Sequence, residues 1–300
     1  MNECGAIKGG GVKVLLLGST GLLGSTLLPM LSTRGYDVIT HSRSDETQYQ
    51  VDLTHSKNTS ELFDEVQPEV IINLVGLTNV DMCEASPNKA YLANVRAVEN
   101  IAAWIKKVES NCHLVQISTD QVYDGSGLHA ESPVTLENYY AFSKYAGELA
   151  ATNVPSTILR TNFFGCSQCA KRVSLTDWLY RSLSNSEPIQ VFDDVLFNPI
   201  SMATLSEMIE LVIREKPVGV FNLGSHEGMS KADFAFSFAE ELGHSTSTMT
   251  RTSTDQVTFL DAYRPKDMRM DCSKFENTLS VKLPHLKDEI KRVSRDYCEA

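Results

Sequence analysis

Tyr140 and Lys144, four positions apart, are the pair of residues in this sequence best suited to acid–base chemistry. The segment 138–152 is predicted to be helical, and on a helix this spacing places the phenol and the ammonium side by side on one face. A nearby cation favours the phenolate and lowers the pKa of the tyrosine toward neutrality. Such a tyrosine can donate a proton to a carbonyl group that receives a hydride, or accept one in the reverse reaction.

A hydroxyl group that could hold the same carbonyl oxygen is expected at the end of the preceding strand, which is predicted over 113–117. Ser118 and Thr119 both follow that strand, and the spacing leaves open which of them contacts the oxygen. A tyrosine and a lysine four positions apart occur by chance on many helices. The prediction of hydride transfer therefore depends on the order of three features along the chain, which are a glycine turn, a strand-end hydroxyl and the Tyr–Lys pair.

The glycine turn lies in the stretch 12–24, VKVLLLGSTGLLG, where an apolar strand breaks and a helix begins near Leu22. A strand, a glycine turn and a helix N-terminus together form a binding site for a dinucleotide pyrophosphate, although a tight connection alone would need the same glycines. The spacing G-x-x-G-x-x-G is the variant typical of short-chain dehydrogenases. The residues expected to surround the phosphates are Gly18, Thr20, Gly21, Leu22 and Gly24.

The end of the second predicted strand, 36–40, bears on the choice of cofactor. An acidic residue there holds the adenosine ribose 2′-hydroxyl in NAD-binding folds, but this strand ends in Thr-His-Ser-Arg. Arg43 could instead meet a 2′-phosphate, which favours NADPH, while Asp45 keeps NADH open and a solvated Arg43 is the alternative. Asp52 either accepts from the adenine amino group or caps the next helix. Further cofactor contacts are expected at Leu53, Val75, Gly76 and Thr78.

Strands alternate with helices as far as residue 160, which predicts an α/β fold with a Rossmann-type, doubly wound parallel sheet over 12–165. The strands are expected at 70–75, 113–117 and 155–160, and a long helix at 87–108 contains Asn94. That asparagine is either solvated, satisfied in the core, or bound to a neighbouring active-site loop. Residues 166–300 are predicted to form mainly a smaller substrate-binding lobe, with 189–223 partly returning to the sheet. The tail 245–265 is expected to be irregular, and 1–11 a flexible leader.

Composition excludes several other functions. The net charge of −11, with no cluster of Lys and Arg, argues against binding nucleic acid. No apolar stretch is long enough to span a bilayer. Seven cysteines without an export signal predict reduced thiols in a cytoplasm. Cys166 and Cys169 are interpreted as a chance pair, and no metal-binding cluster is predicted within the chain.

Over nearly its whole length the sequence resembles the dTDP-4-dehydrorhamnose reductase family, in the extended branch of the short-chain dehydrogenases. The resemblance is carried by several short motifs, which are ISTDQVYDG at 117–125, KYAGE at 144–148, Arg160-Thr161, and Arg264-Pro265 before Met270-Asp271. It implies that Thr119, Tyr140 and Lys144 are the catalytic residues, and that Lys144 also binds the nicotinamide ribose.

Three positions depart from the family pattern near the expected sugar site. Gln121 replaces the usual aromatic residue, Ala141 replaces a glycine, and Phe163 stands where a tryptophan is common. Together with Thr119 and Arg264, Gln121 and Phe163 are expected to bind substrate. The guanidinium of Arg264 suits bidentate contact with a diphosphate, and a structural salt bridge is the alternative.

The resemblance implies NADPH-dependent reduction of the C4 ketone of a nucleotide-linked deoxy sugar, with dTDP-4-dehydro-L-rhamnose as the expected substrate. Two rival functions stay open. A nucleotide-sugar epimerase or dehydratase would share the Thr–Tyr–Lys set. The segment 264–274 also resembles the regulatory beta subunit of methionine adenosyltransferase, which binds NADP without a known sugar substrate. The sequence leaves a homodimer open as well.

Overall fold

The computed structural model describes residues 11–108, 111–169 and 171–298, so the predicted leader lies outside the described residues except for Gly11. The helices are α1 (Leu22–Thr33), α2 (Ser56–Val66), α3 (Val80–Ala85), α4 (Pro87–Tyr91), α5 (Ala97–Lys107), α6 (Tyr139–Ala151), α7 (Leu175–Ser184), α8 (Met202–Glu215), α9 (Lys231–Glu241), α10 (Ser273–Leu279) and α11 (Leu286–Cys298). The strands are β1 (Lys13–Leu17), β2 (Asp37–Ser42), β3 (Tyr49–Gln50), β4 (Val70–Asn73), β5 (His113–Thr119), β6 (Ser156–Thr161), β7 (Phe163–Phe164), β8 (Ile189–Phe192), β9 (Leu196–Phe197), β10 (Ile200–Ser201), β11 (Gly219–Leu223), β12 (Met229–Ser230) and β13 (Met249–Thr252).

Seven parallel strands form the central sheet in the order β11-β6-β5-β4-β1-β2-β3, which confirms the predicted doubly wound fold. The order reverses between β1 and β4, the switch point at which such sheets bind ligands. The residues of β4, β5 and β6 are buried along their whole length because helices cover both faces. No helix among the described residues is long and apolar enough to cross a membrane.

Different helices cover the two faces of this sheet. On one face α1 and α8 pack through Leu27 and Ile209, and on the other α2 and α5 pack through Phe63 and Trp104. Of the predicted return segment 189–223, strand β11 belongs to the central sheet and α8 packs on its face. Strand β8 lies outside the sheet, because it pairs with β13. The α1–α8 contact fixes the helix that follows the glycine turn.

A third hydrophobic cluster lies in the C-terminal half of the chain, where Phe164, Phe197, Phe234 and Phe238 pack together. The prediction that 245–265 is irregular is wrong for the segment that forms β13, and for a short 3-10 turn at Thr254–Gln256. The sequence does not predict β13 because three of its four residues are at least partly exposed, so the strand has no apolar pattern. Helix α10 and the two-residue strand β3 are likewise absent from the sequence prediction.

The helix predicted over 87–108 is interrupted by a π-helical turn at Leu92–Arg96, between α4 and α5. Helix α6 packs directly against this turn, and a Cβ on Gly147 would lie 2.2 Å from the carbonyl oxygen of Asn94. Gly147 therefore allows an approach that no larger residue would permit. Single π-turns inside helices are often found at functional sites, and this one carries Asn94 toward the switch point.

Candidate active site

The glycine turn has the geometry expected for a dinucleotide pyrophosphate site. Gly18 has a φ of +81°, and a Cβ on Gly24 would lie 2.5 Å from the Gly18 carbonyl oxygen, so α1 starts directly against the turn. The N-cap residue of α1 is Gly21, which supplies no side-chain cap, and the first turn carries no acidic residue. Within the described chain, the first N–H groups of α1 are thus left to receive phosphate oxygens. The residues of the turn therefore fit the pyrophosphate of a nicotinamide dinucleotide.

The loop after β4 lies between the glycine turn and the predicted catalytic helix. Val75 is 3.4 Å from the position of a Cβ on Gly18. A Cβ on Gly76 would lie 2.9 Å from Asn94 Oδ1 and 3.7 Å from Lys144 Nζ. Thr78 follows as an exposed residue of the same loop. The fold therefore brings Gly18, Val75, Gly76 and Lys144 together from three separate segments.

Asn94 holds this loop through two hydrogen bonds and α6 through a third. Its Oδ1 accepts from the Leu77 N–H at 2.7 Å, and its Nδ2 donates to the Leu77 carbonyl at 3.0 Å and to Ser143 Oγ at 2.8 Å. The side chain is buried, and Ser143 directly precedes Lys144 on α6. Of the three roles that the sequence left open for Asn94, the structure shows the binding of a neighbouring loop.

Tyr140 lies in the first turn of α6, whose N-cap Asn138 accepts a hydrogen bond from the Ala141 N–H at 2.8 Å. The tyrosine is buried, and the Thr119 hydroxyl lies close to its phenol. Burial raises the pKa of Tyr140, and Thr119 opposes this rise only in part. The sequence-based expectation that Lys144 lowers this pKa toward neutrality is therefore wrong, because desolvation of the phenolate dominates.

Lys144 lies one helical turn further on, and its ammonium donates a hydrogen bond to the Ile117 carbonyl at 2.7 Å. The bond ties the lysine to the end of β5 instead of to the phenol. Burial lowers the pKa of Lys144 to about 8, partly offset by the nearby Glu148 carboxylate. The group is consequently charged at neutral pH and neutral in mild base.

The structure separates the two hydroxyl candidates at the end of β5. The Ser118 hydroxyl donates to the Glu148 carboxylate, which forms a buried ion pair with Arg160 at 2.6 Å. Ser118 is thereby held in the network of Glu148 and Arg160, whereas the Thr119 hydroxyl lies close to the phenol of Tyr140. The geometry favours Thr119 as the partner of a carbonyl oxygen.

Asp120 is a buried acid that the sequence analysis did not place among the site residues. Its Oδ1 accepts from Thr119 Oγ1 at 3.2 Å and its Oδ2 from Asn162 Nδ2 at 2.8 Å. Burial raises its pKa to about 6, and Lys231 of α9 opposes the rise. Asp120 could have been found as the neighbour of Thr119, but no sequence pattern places Lys231 beside it.

The expected substrate residues have different surroundings. The Oε1 of Gln121 is buried without a hydrogen-bond partner among the described residues, which suits a ligand that donates to it. Phe163 lies in β7 and packs against the core of the large sheet. Arg264 forms an ion pair with Asp81 at 2.6 Å, and Asp81 also accepts from the Ala262 N–H. The structural salt bridge foreseen for Arg264 is therefore present, and its phosphate contact stays a prediction.

The adenosine end of the site lies beyond β2. Arg43 is exposed there, and Thr20 Oγ1 of the glycine turn donates to Asp45 at 2.9 Å. Asp52 accepts from the Thr54 N–H at 2.9 Å, but the N-cap of α2 is His55, so the interpretation of Asp52 as a helix cap is wrong. Leu53 follows as a buried residue.

Comparisons with known proteins agree with this geometry. A "probable low-salt glycan biosynthesis reductase Agl14" of Haloferax volcanii is 28% identical over 94% of this chain and 97% of its own length. A dTDP-4-dehydrorhamnose reductase of Shigella flexneri is 26% identical over the same shares. A solved dTDP-4-dehydrorhamnose reductase structure from Clostridium acetobutylicum has a TM-score of 0.86 and 26% identity, covering 96% of this chain and 100% of that one. The family model for the RmlD substrate binding domain matches residues 12–298, and the chain belongs to that family.

Proposed function

We propose that this protein is an NADPH-dependent reductase of the C4 ketone of a nucleotide-linked deoxy sugar, with dTDP-4-dehydro-L-rhamnose as its substrate. The observation that carries the proposal is the meeting of α6 with the carboxyl end of β5, where the Lys144 ammonium donates to the Ile117 carbonyl at 2.7 Å and Thr119 is the last residue of the strand. Several relatives named as dTDP-4-dehydrorhamnose reductases match over nearly the whole chain, which supports the choice of dTDP-4-dehydro-L-rhamnose as substrate.

The raised pKa of Tyr140 suits the direction of reduction. A buried phenol stays protonated at neutral pH, so it can donate its proton to the ketone oxygen as that oxygen becomes negative. The Thr119 hydroxyl, whose single proton points to Asp120 in the structure, would turn to donate a second hydrogen bond to the same oxygen. The Lys144 ammonium, held by Ile117, stabilises the phenolate that remains after proton transfer.

The glycine turn and the loop at 75–76 would hold the cofactor, whose nicotinamide supplies the hydride when it is bound. The first N–H groups of α1 would bind the pyrophosphate, and Lys144 would bind the nicotinamide ribose beside Gly76. Arg43 supports the preference for NADPH, and a related solved structure from Bacillus anthracis is described as a complex with NADP. NADH remains the alternative cofactor.

Two features support a polar sugar beside these groups. The unpartnered Oε1 of Gln121 would accept from a sugar hydroxyl, since an unsatisfied buried acceptor costs free energy that a ligand donor recovers. Arg264, which is paired with Asp81, would contact the diphosphate if this ion pair opens. Both residues are therefore proposed as substrate ligands together with Thr119 and Phe163.

The test is oxidation of NADPH by the purified protein with dTDP-4-dehydro-L-rhamnose, with NADH in parallel and the variant Tyr140→Phe. We expect the wild-type protein to oxidise NADPH only when the sugar is present. The rate should be at least about a thousandfold lower in Tyr140→Phe, because the variant lacks the proton donor, while its affinity for NADPH stays nearly unchanged. Full activity of Tyr140→Phe would refute the mechanism. Tight binding of NADPH without any turnover would instead indicate a regulatory binding subunit. Sugar conversion without net NADPH consumption would indicate an epimerase or a dehydratase.

A further inference from the structure

A short segment after β7 crosses from the C-terminal half of the chain to the adenosine end of the cofactor site. This segment, here called the strap, comprises residues 166–173, of which the structure describes all but residue 170. Cys169 Sγ donates to the carbonyl oxygen of Thr20 in the glycine turn at 3.1 Å. The Lys171 ammonium forms an ion pair with Asp45, which also accepts from the Thr20 hydroxyl. The strap therefore touches the nucleotide site at two points.

Internal hydrogen bonds shape the strap so that Lys171 can reach across. Ser167 Oγ lies 3.1 Å and 3.0 Å from the carbonyl oxygens of Cys169 and Arg172, which share its one proton, and it accepts from the Cys169 N–H at 3.0 Å. The Ser167 N–H donates in turn to Asp177 in the first turn of α7. These contacts anchor the strap to α7, so the position of Lys171 is set by the C-terminal half of the molecule.

The charges at this corner favour an anion. Hydrogen bonds from Thr54 lower the pKa of Asp52, and Arg43 adds a smaller effect in the same direction. Hydrogen bonds from Lys171 and Thr20 lower the pKa of Asp45, and Arg172 adds to them. Asp45 alone would repel a 2′-phosphate, but its ion pair with Lys171 neutralises the carboxylate. The ammonium has three donors, of which the Asp45 contact uses one, so it can bind a phosphate as well.

We propose that Lys171 is a ligand of the 2′-phosphate of NADPH, presented from the strap and positioned by its ion pair with Asp45. The inference rests on the proposed use of a nicotinamide cofactor and adds a residue that sets the choice between its two forms. In NADH the ribose carries a hydroxyl at this position, which Asp45 can accept from directly. Loss of Lys171 should consequently affect NADPH and spare NADH.

The experiment measures dissociation constants of NADPH and NADH by direct titration of the purified protein, with no sugar present. We expect Lys171→Met to weaken the binding of NADPH about tenfold, as for the loss of one charge-assisted phosphate contact. The binding of NADH should weaken by less than about twofold. Lys171→Arg keeps the charge and should retain most of the NADPH affinity. Lys106→Met is the matched control, because Lys106 is an exposed lysine in the last turn of α5. That turn leads to the amino-terminal end of β5, whereas the cofactor is expected at the carboxyl ends of the strands.

The preference for NADPH over NADH should also fall with rising ionic strength in the wild-type protein and fall less in Lys171→Met. If Lys171→Met weakened the binding of NADPH and NADH equally, Lys171 would only stabilise the protein around the site. That result would overturn the inference. Unchanged binding of both would overturn it too. These results leave the proposed reductase activity standing, because the titration needs no turnover. Failure of the wild-type protein to bind either cofactor would refute the proposed function and this inference together.

Discussion

Replacement of Asn94 tests whether the π-turn positions the cofactor loop. In Asn94→Ala the Leu77 N–H and carbonyl, and the Ser143 hydroxyl, lose the partners that Asn94 gives them at 2.7–3.0 Å. Ser143 retains its own bond to the Tyr140 carbonyl at 2.9 Å, and the Leu77 carbonyl retains only a long contact from the Cys83 thiol at 3.5 Å, so the main cost falls on Leu77. An unsatisfied buried backbone group costs about 1–3 kcal/mol, so the two groups of Leu77 should cost about 3 kcal/mol together, since the residue is only half-buried.

This loss of stability has consequences for melting and for binding. For a chain of 300 residues, about 3 kcal/mol corresponds to a decrease in Tm of about 5 °C. The released loop includes Gly76, which lies against both Asn94 and Lys144. Re-ordering one residue on binding costs about 1–2 kcal/mol, so NADPH affinity should fall about tenfold.

The measurements are thermal unfolding and NADPH titration on Asn94→Ala and on a matched control, Asn198→Ala. Asn198, between β9 and β10, also makes three buried hydrogen bonds, all of them to backbone groups, which are Ser225 O, Met270 O and Met270 N–H. The control should lose similar stability and keep its NADPH affinity within about twofold. If Asn94→Ala melts within about 1 °C of the wild type, or both variants lose affinity equally, the positioning role is refuted.

Two further predictions concern the glycine turn and the lysine. Gly24→Ala should weaken NADPH binding by at least about tenfold, because its Cβ would lie 2.5 Å from the Gly18 carbonyl and force α1 away from the turn. Titration should show no such loss for Ser32→Ala at the far end of α1, and wild-type affinity in Gly24→Ala would contradict the packing argument. The kcat/KM for reduction should decrease above a pH of about 8, where Lys144 loses its charge. Because the folded pKa of Lys144 lies below its unfolded value, the titration of Lys144 makes folding more favourable over the same pH range and does not itself unfold the protein. A pH–rate profile that stays flat well above 8 would show that the charge is not needed.

The sequence by itself determined the class of fold and the order of its catalytic features. The buried runs at 70–75 and 113–117 and the glycine spacing at 18–24 are local patterns, and such patterns reflect strand burial and turn geometry directly. The Tyr140–Lys144 spacing likewise placed both side chains on one helical face, as the structure shows. Family membership followed from these motifs and their order along the chain.

Only the tertiary structure decided how the site residues act on one another. The pKa of Tyr140 depends on burial and on Thr119, which is far from it in sequence, so the helical spacing predicted the wrong direction. The same holds for Lys231 beside Asp120 and for Lys171 on Asp45, which lies 126 positions away along the chain. Electrostatic and hydrogen-bond effects depend on distance and desolvation, and for groups on separate elements these arise only when the chain has packed.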